Sequence, residues 1–139
     1  MDDKSENSTA EITDPRRHLE LEGARNVRDL GGFSTLDGRT TKWRRILRSD
    51  SLHQLSAAAQ ACLVELGLAT IVDLRHTAET EKEPNLFTFS EAVAYHHLDM
   101  LGDEELGISE PPEETPVPQK MAQLYCGWLD LRQGAGSRI

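Results

Sequence analysis

A stretch of ten residues at positions 23–32 constrains the fold of this chain more than any other segment. It reads Gly-Ala-Arg-Asn-Val-Arg-Asp-Leu-Gly-Gly, so glycines flank a run of charged and polar side chains. Glycine in such places indicates backbone that turns where a Cβ atom would clash. The charged side chains between the glycines, Arg25, Arg28 and Asp29, are suited either to holding an anion or to pairing with one another at the surface. We therefore expect a tightly folded loop here.

A β-hairpin region surrounds this loop. Residues 18–22 alternate between polar and apolar side chains, which predicts a short strand that leads into it. Asp37-Gly38 is a strong hairpin signal, and residues 45–48 then predict a further strand. Upstream, residues 1–17 are polar and charged, so we expect a disordered lead.

The middle of the chain alternates predicted helices and strands. Ser56 is placed to cap a helix that ends before Gly67, with Cys62 on its buried stripe as a small core residue. The apolar run 68–75 predicts a strand covered on both faces. Further elements are predicted at residues 77–83 (short helix), 92–98 (strand) and 120–132 (helix). This succession of elements predicts an α/β fold.

Charge is unevenly distributed along the chain. Asp and Glu total 24 against 15 Lys and Arg, for a net charge of −9. Residues 99–118 hold seven of the acids and four prolines with no Lys or Arg, which predicts a long loop that either covers an active site or stays disordered. The acidic balance leaves no net basic surface for counterion release, so we expect no nucleic-acid partner. Residues 133–139 are expected to form a tail.

Cysteine usage and hydropathy predict a cytoplasmic protein. Cys62 and Cys126 are too few for a disulfide framework and lack metal-ligand spacing. The His96-His97 pair is not a metal site in a strand, because neighbouring strand side chains point to opposite faces. No apolar run reaches transmembrane length, and the amino terminus lacks the basic start and apolar core of a signal peptide.

Several separated blocks occur in one order along the chain. They are residues 23–32, Asp37-Gly38, 47–52 (Leu-Arg-Ser-Asp-Ser-Leu), 66–68 (Leu-Gly-Leu) and 71–75 (Ile-Val-Asp-Leu-Arg), followed by Glu79 and Glu81. In this order they resemble the amino-terminal half of the tyrosine-phosphatase-like family of mostly microbial enzymes, over residues 20–131. Members are cysteine-dependent phosphatases of tyrosine, dual-specificity or phosphoinositide type. The resemblance implies a partial cysteine-phosphatase fold over residues 18–132, with a β-hairpin leading into a mostly parallel sheet flanked by helices.

The nucleophile of that family lies outside these blocks. Members carry it in a later loop, with a His-Cys pair, a glycine-rich turn and an Arg six positions after the Cys, and this sequence ends before such a loop. Cys126 and Arg132 have the six-position spacing. Trp128, Leu129 and Leu131 between them are too bulky for a phosphate cradle, so we predict a helix there. We expect the chain to lack the central strand and the nucleophile loop, and to be inactive alone.

The resemblance also implies residue roles and a mechanism. Phosphoryl transfer would proceed in two steps through a phosphocysteine, with no metal or other cofactor, on a phosphorylated protein or lipid. Asp99 or Asp103 is the candidate general acid, with a solvated loop acid as the alternative. Five further residues are candidates for lining the substrate site or orienting its loops, with structural ion pairs as the alternative: Arg28, Asp29, Arg48, Asp50 and Arg75.

The sequence leaves three interpretations. The first is the amino-terminal part of a phosphatase that is inactive as this chain. The second is a natural non-catalytic module that keeps the fold's first half as a binding or regulatory surface. The third, a sulfur-transfer domain of the rhodanese kind, suits a strand that ends at residues 73–75 but is disfavoured by the block at residues 23–32.

Overall fold

The computed structural model describes residues 14–100, 102 and 111–131. The chain divides into two compact units, residues 1–69 and 70–139. The first unit contains a three-stranded antiparallel sheet, and the second a two-stranded parallel sheet. Helices accompany both sheets, so the predicted α/β class with an antiparallel hairpin followed by parallel strands is confirmed.

The sheet of the first unit contains the strands β1 (His18–Leu21), β2 (Ala24–Asp29) and β3 (Leu47–Arg48). Their order in the sheet is β1-β2-β3. Both predicted strands at its edges are present, although the second is shorter than expected. Between β2 and β3 the predicted Asp37-Gly38 turn is closed by an isolated bridge between Ser34 and Thr40.

A short 3-10 helix, Pro15–Arg17, precedes β1. The expectation of disorder over residues 1–17 is therefore wrong at its end; residues 1–13 lie outside the described residues. The physical reason is Arg17, which is only 4% exposed. Its guanidinium carbon lies 3.5 Å from the centroid of the Phe33 ring, and its side chain donates to the Gly31 carbonyl. A cation stacked on an aromatic ring anchors this end of the segment.

The helix α1 (Ala57–Glu65) forms as predicted. The Ser56 hydroxyl accepts from the Ala59 N–H at 3.2 Å, which caps its first turn. Past its end Gly67 has a φ of +92°, and the N–H groups of residues 67 and 68 bond back to Val64 and Leu63. These two bonds form the Schellman arrangement that ends many helices.

The buried stripe of α1 differs from the prediction at Cys62. Ala59 and Leu63 are buried, whereas Cys62 is exposed, so the assignment of Cys62 to the core is wrong. At 3.6 residues per turn, position 62 lies about 60° around the helix from position 59, on the side away from position 63. Sequence spacing alone did not show which edge of the stripe faces the core.

The second unit contains the elements β4 (Thr70–Asp73), α2 (Thr77–Lys82), β5 (Ala94–His97) and α3 (Val117–Leu131). β4 and β5 pair in parallel, with Thr70 opposite Ala94 and Asp73 opposite His97. The predicted acidic loop lies between β5 and α3, which begins at Val117 rather than at the predicted residue 120. Residues 103–110 of that loop and the predicted tail at 133–139 lie outside the described residues.

Burial along β4 alternates. Ile71 and Asp73 are buried, while Val72 is 41% exposed. The prediction that this strand is covered on both faces is therefore wrong within the described residues. Phe87 and Val93 are further buried apolar residues of this unit, and an alternating pattern is typical of a strand with one packed face.

Candidate functional site

The expectation of a loop over residues 23–32 is wrong for most of its length, because Ala24–Asp29 pair with both neighbouring strands as the central strand β2. The turns at the two ends of β2 need their glycines because other backbone lies against them. A Cβ atom on Gly23 would stand 1.9 Å from the Gln54 carbonyl oxygen. One on Gly31 would stand 2.5 Å from the Trp43 Cα atom. The prediction that this stretch turns where a Cβ would clash is confirmed, and the close approach fixes both ends of β2.

Asp29, the last residue of β2, holds the turn that follows the strand. Its carboxylate accepts the Gly31 N–H on one oxygen and the Arg44 N–H on the other, each at 2.8 Å. Arg44 has a φ of 55°, a left-handed conformation that is uncommon for a residue with a side chain. Because Asp29 is 3% exposed, its side chain orients the loop from within and does not face solvent.

Asp50 has a similar role at the other end of β2. Its carboxylate accepts the N–H groups of Arg25 and Asn26 at distances between 3.1 and 3.2 Å. These bonds attach the segment after β3 to the start of β2. The carboxylate of Asp50 therefore accepts backbone N–H groups, and its role at a substrate site stays a prediction.

Arg28 and Arg48 lie opposite each other across β2 and β3. Residues directly opposite in an antiparallel pair have their side chains on the same face of the sheet. Both arginines are exposed. The Arg28 Nε donates to the Asn26 Oδ1 at 2.8 Å, and on the far side of β2 His18 lies opposite Arg28. Three side chains capable of donating hydrogen bonds thus form one row across the sheet.

Arg75, in the second unit, is engaged by its neighbours. Its Nε and terminal nitrogen donate to both oxygens of Asp73 at 2.8–3.2 Å, and its other terminal nitrogen donates to the Glu83 carbonyl at 3.0 Å. The Tyr95 hydroxyl also donates to Asp73, at 3.0 Å. This pairing is the structural alternative that was considered for Arg75.

The pKa values of this cluster follow from its contacts. Burial favours the neutral form of Asp73, but hydrogen bonds from Arg75 and Tyr95 favour the carboxylate and hold its pKa below the ordinary value. Burial first, and then the bond to Asp73, raise the pKa of Tyr95. The cluster is therefore an ionised carboxylate held by a guanidinium and a neutral phenol.

Asp99, one of the two general-acid candidates, accepts hydrogen bonds from the start of α2 and from Gly102. One of its oxygens accepts both the N–H and the hydroxyl of Thr77 at 2.7 Å, and the other accepts the Gly102 N–H at 2.7 Å. The same carboxylate lies 4.0 Å from the His76 Nε2. Asp103, the other candidate, lies outside the described residues.

Both cysteines lie on helices. Cys126 belongs to α3, which confirms the prediction that this segment is a helix, and Cys62 belongs to α1; both are exposed. Arg132 lies outside the described residues. In the described part of the chain, no three His, Cys, Asp or Glu side chains lie close enough to hold a metal ion.

The sequence did not point to two members of these clusters. His18 was assigned only to a strand, because the cross-strand register that places it beside Arg28 is not visible in the sequence. Tyr95 was likewise assigned only to a strand, although Ile71 is its partner and Asp73 lies two residues further on. Asp73 and Arg75 both fall in the predicted strand 68–75, but β4 ends at Asp73, so strand spacing does not account for their contact.

The chain belongs to the tyrosine phosphatase family, whose family model matches residues 19–138. It is also 25% identical, over 87 residues, to a tyrosine-protein phosphatase of Nostoc commune. That alignment covers 63% of this chain and 29% of the relative, so the chain spans less than a third of the length of the curated relative that it matches. Among the described residues no helix has the length and apolar character needed to cross a membrane.

Proposed function

We propose that this chain is the amino-terminal part of a cysteine-dependent tyrosine or dual-specificity phosphatase, and that the chain alone does not hydrolyse phosphate esters. Family membership over residues 19–138 supports the first statement. The placement of both thiols on helices supports the second. The substrate class proposed for the whole protein is a phosphorylated protein or lipid, in the cytoplasm.

The main support for the proposal that the chain alone is inactive is the position of Cys126 within a helix. A phosphatase thiolate works inside a ring of backbone N–H groups that point at the phosphoryl oxygens. In the interior of an α-helix each N–H donates to the carbonyl four residues earlier, so it does not point at a ligand. Cys126 lies within α3, and its surrounding amides are committed in this way.

The proposed reaction of the whole protein has two steps. A cysteine thiolate attacks phosphorus, so that an S–P bond forms as the P–O bond to the leaving group breaks, and a carboxylic acid gives its proton to the leaving oxygen. Water then cleaves the S–P bond and releases inorganic phosphate. Asp99, whose two oxygens accept N–H groups, and Asp103 are the two candidates for this acid.

Hydrolysis of p-nitrophenyl phosphate by the purified 139-residue chain tests this proposal. We expect a rate equal to that without protein, and the same result for Cys62→Ser and Cys126→Ser. Hydrolysis that disappears in Cys126→Ser but persists in Cys62→Ser would contradict it, because the thiol on α3 would then be the nucleophile.

A non-catalytic binding module is the second candidate, and the exposed arginine pair of β2 and β3 favours it. The two candidates differ in the coding sequence that each expects downstream of residue 139 in the intact transcript. A His-Cys pair in a glycine-rich loop there supports the phosphatase. A complete transcript without such a loop supports the binding module.

A further inference from the structure

The connection between β2 and β3 carries basic and apolar side chains together, and we call its residues 36–46 the basic segment. It holds four of the chain's 15 Lys and Arg residues and one of its 24 acids. An isolated bridge between Ser34 and Thr40 closes a hairpin whose tip lies between these two residues. The basic segment therefore begins at a hairpin tip and continues to the start of β3.

The two apolar side chains at the ends of the basic segment are exposed. Leu36, at the hairpin tip, has a relative exposure of 111%, and Ile46 is 64% exposed. Lys42, Arg44 and Arg45, which lie between them, are exposed as well. Exposed apolar residues beside Lys and Arg are typical of protein segments that lie on a membrane surface.

The positive charge of the basic segment is only partly neutralised within the described residues. Asp37 forms an ion pair with Arg39 at 2.6 Å, on the exposed hairpin. In the part of the chain that the structure describes, the side chains of Lys42, Arg44 and Arg45 make no ion pair or hydrogen bond. Three cations are therefore available to an anionic partner.

The backbone of the basic segment is anchored on its inner side. A Cβ atom on Gly32 would stand 2.5 Å from the Trp43 Cζ2 atom, so the indole ring lies against the turn after β2. The Arg44 N–H donates to the Asp29 carboxylate at 2.8 Å. These contacts fix the shape of the segment before a partner binds, which reduces the entropy lost on binding.

We propose that the basic segment docks the protein on the surface of a membrane that contains anionic phospholipids. Lys42, Arg44 and Arg45 meet the headgroups, and Leu36 enters the boundary between headgroups and acyl chains. A bilayer is favoured over an acidic protein, because a leucine at a hairpin tip enters a fluid acyl region without a matching pocket. The headgroup phosphates are diesters, so this docking is independent of the phosphatase proposal above.

The net charge of the chain, −9, opposes this docking only weakly at physiological salt. Exposed charges that are farther apart than the Debye length, about 8 Å, are largely screened from each other. The charge of the surface that touches the bilayer therefore decides the attraction. In the basic segment that charge is positive, with four bases against one acid.

Co-sedimentation of the purified 139-residue chain with lipid vesicles tests this proposal. One set of vesicles contains phosphatidylcholine alone, and the other contains phosphatidylcholine with phosphatidylglycerol. We expect saturable binding to the second set only, lost at about 1 M salt, where the Debye length is about 3 Å. Lys42→Gln and Arg45→Gln are each expected to weaken this binding about fivefold, and Leu36→Ser about tenfold.

Two variants of the second unit are matched controls. Lys82→Gln removes an exposed cation, and Phe89→Ser removes an aromatic side chain that is 94% exposed. Both are expected to leave vesicle binding unchanged, and circular dichroism checks that each variant is folded.

Three results with the vesicles would overturn the proposal: no binding to the anionic set, equal weakening by the two controls, or full binding by Leu36→Ser. Poly-L-glutamate serves as a probe for the other class of partner. Binding to poly-L-glutamate without binding to the anionic vesicles would also overturn the proposal, and would assign the basic segment to an acidic protein.

Discussion

At the scale of single residues, Asp29 determines the shape of the turn that follows β2. Its carboxylate accepts two backbone N–H groups, and one of them belongs to Arg44 in a left-handed conformation. A buried carboxylate with two backbone donors is difficult to replace, because any substitute with fewer acceptors leaves an N–H group unpaired away from water.

We therefore predict that Asp29→Asn lowers the free energy of unfolding by about 1–3 kcal/mol, since the amide offers one acceptor oxygen for two backbone donors, one buried and one partly buried. Urea denaturation measures the change. Asp37→Asn is the control, because Asp37 binds Arg39 at the exposed hairpin and its loss is expected to leave the urea midpoint nearly unchanged. Equal shifts of the urea midpoint for the two variants would show that the hydrogen bonds of Asp29 add no stability beyond that of an exposed ion pair.

Two glycines with similar backbone angles allow a second comparison. Gly23 has a φ of +91° and Gly38 a φ of +79°, but of these two only Gly23 has backbone against the position of a Cβ atom. Gly38→Ala is expected to cost about 1–2 kcal/mol, the penalty of the left-handed conformation. Gly23→Ala incurs that penalty and also displaces residue 54, so we predict a much larger loss of thermal stability. Equal melting temperatures would contradict the close approach.

At the scale of elements, the pair β4 and β5 is held at its end by Asp73, Arg75 and Tyr95. The pKa of Asp73 is lower in the folded chain than its ordinary value of 3.8. Between these two values the unfolded chain takes up a proton and the folded chain does not, so stability falls as the pH decreases. Above 3.8 the contribution of Asp73 is fully present.

We predict that Asp73→Asn flattens the loss of stability below pH 3.8, as measured by urea denaturation across acidic pH. Tyr95→Phe removes one donor to the ionised carboxylate, so it should raise the pKa of Asp73, which NMR titration of that carboxyl detects. An unchanged titration in Tyr95→Phe would mean that the phenol does not stabilise the carboxylate.

Local sequence patterns predicted where helices and strands lie more accurately than they predicted which residues are buried. Ser56 and Gly67 mark the ends of α1 by capping chemistry that depends only on nearby residues, and both predictions are confirmed. The exposure of Cys62 and Val72 was not predictable, because it depends on which elements pack against them. The pairing of His18 with Arg28 depends on strand register, which the sequence does not state.

For the candidate site too, the sequence indicated the residues but not their contacts. The sequence pointed to Arg28, Asp29, Arg48, Asp50 and Arg75 as a set, without separating ligand-binding from loop-orienting residues. In the structure Asp29 and Asp50 accept hydrogen bonds from backbone N–H groups, and Arg75 forms an ion pair with Asp73. Arg28 and Arg48 are exposed on one face of the sheet, and their substrate-binding role stays a prediction.

At the scale of the whole molecule, the chain belongs to the tyrosine phosphatase family, and both of its cysteines lie on helices. It spans 29% of the length of its relative from Nostoc commune. We therefore propose that the covalent step of the whole protein uses a thiol that is neither Cys62 nor Cys126.

Intact-protein mass spectrometry after rapid quenching tests that assignment most directly. The purified chain is mixed with p-nitrophenyl phosphate and quenched before any phosphocysteine hydrolyses. We predict an unmodified mass at every time point. A transient phosphoryl adduct on either cysteine, lost when that cysteine is changed to serine, would contradict the assignment.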